Sequence, residues 1–556
     1  MDILTPFASY NRNWEHFDDL CETFTWRLPS RFNIGHRICE RQSDSPDRPA
    51  IRTVGPTQPT KTYTYGQLAE ESNRFANYLA EVGVESGDRV AIQTTQRPEV
   101  VVAHLATWKL GAISVILNPL LGQEETTSQL TQTGATAGVF DSAVLEPSSI
   151  PEQYGDSLSA LVFLDDSAPT VGQSYERAIK HQTAEPRATD TAPDDDAFIV
   201  YTSGTTGDPK GVVHTHSTLI GHLPTFCLTF ANLSLEASQR FWTVSNWASI
   251  ALMSNVMAPL FAGRTVLAHA RTSRFDPEEA LKIVADQQVT NLSASPTALR
   301  LMQQVPNIRS RSNLSELNII TTGGEEVSDS LVDWWAELDV IVHEVYGQTE
   351  ANNIVADCNE LLDIQSNAIG CPMPGHDVAI LDPENPTSEV GCDKVGEIGV
   401  RIDDPICFDR YWESPEQTTK SVQEGWLLTG DLGVQNRDGA IFFRSRKDDV
   451  IISSGRRIGP AEIETALATH PAVINAGVVG VDDELRGEIP IAFVAIRDEV
   501  QPSERLVMEL QEHVKERMAK YKHPRDIVFL DSVPTTNTGT IARGELREIA
   551  AQQRDT

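Results

Sequence analysis

The chain has 556 residues, 40% of them hydrophobic and 22% charged, which is enough for more than one packed domain. Its formal net charge is −34, from 79 acidic against 45 basic residues, and only 11 of the basic residues are lysine. That balance speaks against a nucleic-acid-binding surface. It predicts a protein at home in a salt-rich cytoplasm, where charge repulsion is screened within about 3 Å at molar ionic strength.

The start, Met1-Asp2-Ile3-Leu4-Thr5-Pro6, has neither a basic cluster nor an apolar core, so no secretory signal is expected there. Tyr65 to Val82 carries Leu68, Phe75 and Leu79 at helical spacing, and Arg89-Val90-Ala91-Ile92 reads as a strand. The longest apolar region, Val100 to Leu121, is interrupted by His104, Lys109 and Pro119. It reads as a buried helix followed by a buried strand rather than a membrane span. Glu185 to Asp196 is a polar, proline-containing connection, and Ala197 to Tyr201 is a buried strand. Such alternation predicts an α/β fold with largely parallel sheets. None of the seven cysteines forms a Cys-x-x-Cys pair, so neither a disulfide framework nor a zinc site is expected.

A boundary is expected at Arg446-Lys447-Asp448-Asp449. Beyond it the chain reads as a compact unit of about 100 residues: strand Val450 to Ile452, helix Glu462 to Ala468 opened by Pro460, strands Ala476 to Val479 and Ile491 to Ala495, and helix Glu504 to Ala519. The expected division is 1–447 and 448–556.

The strongest motif follows the strand at Tyr201: Thr202-Ser203-Gly204-Thr205-Thr206-Gly207-Asp208-Pro209-Lys210-Gly211. Glycines permit close backbone approach, backbone amides form an anion nest, hydroxyls add donors, and Lys210 adds a charge. This suits a polyphosphate, although the spacing is not that of a Walker loop.

The segment resembles the phosphate-loop signature of the adenylate-forming (AMP-binding) superfamily, and the likeness continues along the chain. Gly323-Gly324-Glu325 looks like the family loop beside the acyl pocket and adenine. Glu344-Val345-Tyr346-Gly347-Gln348-Thr349-Glu350 looks like its adenine and magnesium segment. The resemblance implies an aromatic flank for the base from Tyr346, an α-phosphate contact from Thr349 and a Mg²⁺ ligand in Glu350. Gly425-Trp426-Leu427-Leu428-Thr429-Gly430-Asp431 matches the segment whose aspartate binds the ribose, and Arg446 matches an arginine that reaches the nucleotide. Asp448 falls at the family's hinge. Ser453-Ser454-Gly455-Arg456-Arg457 resembles medium-chain acyl-CoA synthetases, which implies CoA contacts from Ser454, Gly455 and Arg457. Trp247, with Gly323 and Gly324, is the candidate for the acyl pocket.

The resemblance therefore implies a large multi-subdomain N-terminal domain and a small mobile C-terminal one. It implies a cytoplasmic acid–thiol ligase that uses ATP, Mg²⁺, CoA and a small carboxylic acid. Catalytic positions would be Lys210, Thr349, Glu350 and position 540, and Thr202, Ser203, Gly204, Thr205, Thr206 and Gly207 would join Lys210 around the phosphates. One departure stands out. In Thr538-Gly539-Thr540-Ile541-Ala542-Arg543, Thr540 occupies the place of the family's adenylation lysine. Two other functions stay open on that account: a binding protein with impaired catalysis, and an adenylation enzyme with an acceptor other than CoA.

Overall fold

The computed structural model describes the chain except residues 1, 13, 56–59, 145–157, 165–171, 203–208, 272–274, 307, 309–312, 326, 364, 454–455, 484–485, 498–499, 520–521, 536–540 and 555–556, and the side chains of 457 and 553–554. The expected sites Ser203, Gly204, Thr205, Thr206, Gly207, Ser454, Gly455, Thr540 and the Arg457 side chain lie outside the described residues.

Two large sheets dominate the N-terminal part. The first has eight strands, running in space from Arg410–Tyr411 through Lys210–Thr215, Asp196–Thr202, Ile113–Ile116 and Arg89–Gln93 to Gln173–Ser174. It is parallel except at Lys210–Thr215, which pairs antiparallel on both sides. The second has nine strands, with a parallel centre that includes Arg240–Thr243, Asn291–Ser293, Ile319–Gly323 and Ile341–Tyr346. Parallel strands must be covered on both faces, and here they read as continuous apolar runs: Ile113–Ile116 and Ala137–Phe140 are buried at every position.

The covering helices form where the sequence predicts them. Thr64 caps Tyr65–Glu81 through a capping box with Gln67, and the helix buries Leu68, Phe75 and Leu79. Pro98 opens Pro98–Lys109, whose missing N–H costs nothing at that position. This helix is buried almost all round, His104 and Lys109 included, as a helix apolar on nearly every face is.

A third sheet is antiparallel throughout, which the alternation of strands and helices did not foreshadow. It comprises Asn385–Glu389, Val378–Asp382, Val395–Arg401 and Trp426–Gln435, with Val422–Gln423 and Ile441–Arg446 alongside. The smaller C-terminal domain has its own five-stranded sheet and its own apolar cluster around Ile463, Val478, Val494 and Leu510. Among the described residues no helix is long and apolar enough to cross a membrane, the cysteines are free, and no group of three or more metal-ligating side chains assembles.

Candidate nucleotide and acyl site

The strands on either side of the Gly/Thr-rich loop form a hairpin in which Thr202 pairs with Lys210. The base of loop 203–208 is thereby fixed by these two residues. Across the other edge, Val212 pairs with Tyr411, and the Trp412 N–H donates to the Gly211 carbonyl at 2.7 Å. This register brings Lys210 Nζ to 5.3 Å from the centre of the Tyr411 ring, and Lys210 also donates to Gln417 Oε1 at 3.3 Å. Tyr411 Oη donates to Glu350 Oε1 at 2.6 Å. Burial, reinforced by the Glu350 carboxylate, holds the phenol well above its ordinary pKa, so it remains a donor. The expected phosphate lysine and the expected magnesium carboxylate, far apart in sequence, therefore meet at one tyrosine.

Two residues before Glu350, the site continues into a second cluster. Asp431 and Arg446 are register partners on adjacent strands, and their side chains pair at 3.0 Å. Asp431 Oδ2 accepts from Tyr346 Oη at 2.7 Å and from Gln348 Nε2 at 2.8 Å. Burial pushes the Asp431 carboxyl up; Arg446, Tyr346 and Gln348 oppose the shift. A carboxylate with this set of donors is ready to exchange them for hydroxyl donors of a ligand.

Residues 39–412 match the AMP-binding enzymes and residues 462–540 match the C-terminal domain of AMP-binding enzymes. The chain belongs to the AMP-binding enzyme family. It is 30% identical over 523 residues to the uncharacterized acyl-CoA ligase YtcI of Bacillus subtilis, covering 94% of this chain and 96% of that one. It is 31% identical over 538 residues to the mitochondrial acyl-coenzyme A synthetase ACSM4 of Homo sapiens, covering 94% and 91%. The anthranilate CoA ligase AuaEII, solved with anthranoyl-AMP, superposes with a TM-score of 0.86 at 26% identity, covering 95% and 99%. A benzoate CoA ligase from Burkholderia xenovorans gives 0.81 at 26% identity, covering 93% and 100%.

The remaining expected residues of this AMP-binding enzyme are distributed as follows. The Thr349 carbonyl accepts from His214 Nε2 at 2.7 Å. Burial pushes that imidazole down to about 3, so it is a neutral tie from the strand Lys210–Thr215 to the bend after Tyr346 and not a proton carrier. Gly323 ends its strand where a Cβ would lie 2.1 Å from the Val345 carbonyl, and a Cβ on Gly347 would lie 2.3 Å from the Asn353 nitrogen. Both glycines are required by close backbone approach. Glu325 is held elsewhere: its Oε2 accepts from Thr297 Oγ1 at 2.6 Å and lies 3.5 Å from Arg300. Trp247 is 3% exposed within the largest apolar cluster, and its indole N–H has no partner among the described residues.

Glu344 and Val345 lie on the strand Ile341–Tyr346, and an unforeseen group supports that strand. Asp357 is 5% exposed, and its Oδ2 accepts from the Glu344 N–H at 3.3 Å. Burial pushes its carboxyl up to about 7. The unfolded chain ionises this group from about pH 4, while the folded chain keeps it protonated until about pH 7. Its contribution to stability therefore declines as pH rises through that window and stays low above it. Asp357→Asn keeps the acceptor and does not titrate. The advantage of the variant over the parent should grow by about 1–3 kcal/mol between pH 5 and pH 8 in equilibrium unfolding. Parallel pH profiles of the two proteins would show that this carboxyl does not titrate there.

The sequence reading also missed Tyr411, Gln417, Glu397 and Lys447. Glu397 is buried; its Oε1 accepts from the Gly430 N–H at 3.0 Å and its Oε2 from Lys447 Nζ at 2.9 Å. Lys447 is thus tied to the sheet that carries Asp431. Asp449 is tied the other way, to Arg547 at 2.7 Å and Arg543 at 3.7 Å in the last helix. Asp448 lies exposed between the two anchors. The backbone of Arg457 pairs with Ile452 in the strand that follows.

Proposed function

We propose that this enzyme is an ATP-dependent, AMP-forming acyl-CoA synthetase. The observation that carries the reading is the meeting of Lys210 and Glu350 at Tyr411, continuous through Gln348 with the Asp431–Arg446–Tyr346 cluster. In the first half-reaction a carboxylate oxygen attacks the α-phosphate of ATP and pyrophosphate leaves. In the second, the CoA thiol attacks the acyl-adenylate carbonyl and AMP leaves with the mixed-anhydride oxygen. The chain's own task is to orient the reactants and set charge against them.

Thr202 and the loop through Gly207 hold the phosphates with Lys210, and Thr349 faces the α-phosphate. Asp431 and Arg446 take the ribose. Tyr346, Gly347, Gln348, Glu344, Val345 and Gly323 to Glu325 surround the adenine. Glu350 fits Mg²⁺: it is a hard carboxylate with one oxygen fixed by Tyr411 and the other, without a hydrogen bond among the described residues, available to a cation that also needs phosphate oxygens. Mg²⁺ bound there would supply positive charge against the phosphates. Ser454, Gly455 and Arg457 take CoA in the second half. Asp448, flanked by oppositely anchored neighbours, is the hinge between a 1–447 domain and a 448–556 domain. The acidic surplus supports a salt-rich cytoplasm as the working medium, which a salt titration of folding tests.

The test is a panel of carboxylic acids with ATP, Mg²⁺ and CoA, with pyrophosphate, AMP and thioester followed separately. All three products from one acid are expected. Pyrophosphate and AMP without thioester would assign another acceptor. Absence of all three with every acid would favour the second reading, a nucleotide-binding protein impaired by Thr540.

A further inference from the structure

A small cavity of about 10 Å³ lies between the nine-stranded sheet and the two π-helical segments Phe226–Phe230 and Met253–Met257. That is room for one water-sized group. Phe230 and Phe241 line it, but Asn255, Asn291, Ser293 and Thr321 make much of its wall polar. Ser293 and Thr321 are register partners on adjacent parallel strands. Asn291 is already satisfied: it accepts from Thr290 Oγ1 at 2.6 Å and donates to the Phe230 carbonyl at 2.7 Å. Asn255 is not. It is 8% exposed, and its Oδ1 has no hydrogen-bond partner among the described residues.

A buried amide oxygen without a hydrogen-bond partner is costly, so its place in the fold calls for a ligand group. Thr321 is two residues before Gly323 on the same strand, which sets the cavity about 7 Å from the glycine notch at the strand end. Asn255 is eight residues after Trp247, at the other end of the same buried segment. The cavity thus lies along the strand that ends at the glycine proposed for the acyl site.

We propose that this cavity is the far end of the acyl-binding slot, with Asn255 as its specificity-determining residue, and that the enzyme selects hydroxy carboxylic acids. The inference rests on the acyl-CoA synthetase reading above. A hydroxyl both donates and accepts, so it satisfies the amide in either orientation and meets Ser293 or Thr321 as well. A plain methyl end leaves the Asn255 acceptor unpaired, and a site built for a hydroxyl discriminates against the analogue that lacks it.

The experiment pairs hexanoic, heptanoic and octanoic acids with their terminal hydroxy derivatives and measures kcat/KM for thioester formation. At one chain length the hydroxy acid should be favoured by about tenfold to a hundredfold. Asn255→Leu should collapse or invert that ratio. Ser293→Ala serves as the second variant if the first melts early. A parent enzyme that prefers the plain acid at every length, or an Asn255→Leu enzyme that keeps the parent's ratio, overturns the proposal. If no acid is turned over, the synthetase reading falls separately. Calorimetry with hydroxyacyl and acyl sulfamoyl-adenosines then decides the cavity: tighter binding of the hydroxyacyl compound supports it, and equal binding overturns it.

Discussion

Thr540→Lys is expected to raise the adenylation rate about a hundred- to a thousandfold and to leave thioester formation from a preformed acyl-adenylate nearly unchanged. A positioned donor at developing charge contributes about 2.7–4 kcal/mol to a transition state, whereas threonine offers one neutral hydroxyl. Residue 540 lies outside the described residues, but its root is well defined. Thr535 and Ile541 form an antiparallel bridge, and the Ala542 N–H donates to the Pro534 carbonyl at 3.0 Å. Arg543 then grips both oxygens of Glu464 at 2.8 and 2.7 Å. In the parent, a supplied acyl-adenylate with CoA should give thioester faster than acid, ATP and CoA together. If the parent adenylates rapidly and the lysine variant matches it, another group performs the lysine's task.

The proximity of the candidate site's elements was legible where it is local in sequence. The buried strand, the glycine-rich loop and Lys210 occupy consecutive positions, and the hairpin pairing of Thr202 with Lys210 follows from that order. Asp431 was singled out through its seven-residue context, and the structure pairs it with Arg446. Tyr411 was not. Its role comes from pairing between strands about 200 residues apart and from a contact with Glu350 across 61 positions. A single tyrosine carries no spacing or periodicity that would reveal either. Glu397 and Lys447 are separated by 50 positions and escaped for the same reason.

The C-terminal elements were found, but their lengths were set by partners rather than by hydrophobicity. Val473–Asp483 extends past the apolar stretch that signals it because its ladder with Gly487–Ile496 continues into Asp482 and Asp483. The helix from Glu504 ends at Arg517, where Met518 leaves helical geometry, and not at Ala519. The antiparallel third sheet was invisible for a related reason. Its edge strand Asn385–Glu389 is mostly exposed and polar, so only pairing identifies it as a strand.

Glu350→Gln carries the second large expectation, a loss of about a hundred- to a thousandfold in Mg²⁺-dependent adenylation with little change in melting. The two halves of that expectation have separate physical origins. Glu350 is held in place by neutral contacts: Oε1 accepts from Tyr411 Oη, and its backbone carbonyl accepts from the Phe408 N–H at 2.7 Å. Glutamine can make both, so the local packing should survive. What glutamine lacks is the negative charge that a hard dication requires. The apparent Mg²⁺ requirement should therefore rise along with the loss in rate. Tyr411→Phe offers the contrasting case. It removes the hydrogen bond but leaves the carboxylate, so it should cost about tenfold, the scale of a single hydrogen bond of about 1.5 kcal/mol. A glutamine variant with the parent's turnover and Mg²⁺ dependence would remove Glu350 from the metal's ligands. If the two variants lose activity equally, Glu350 acts through Tyr411 to position Lys210 and is not a metal ligand.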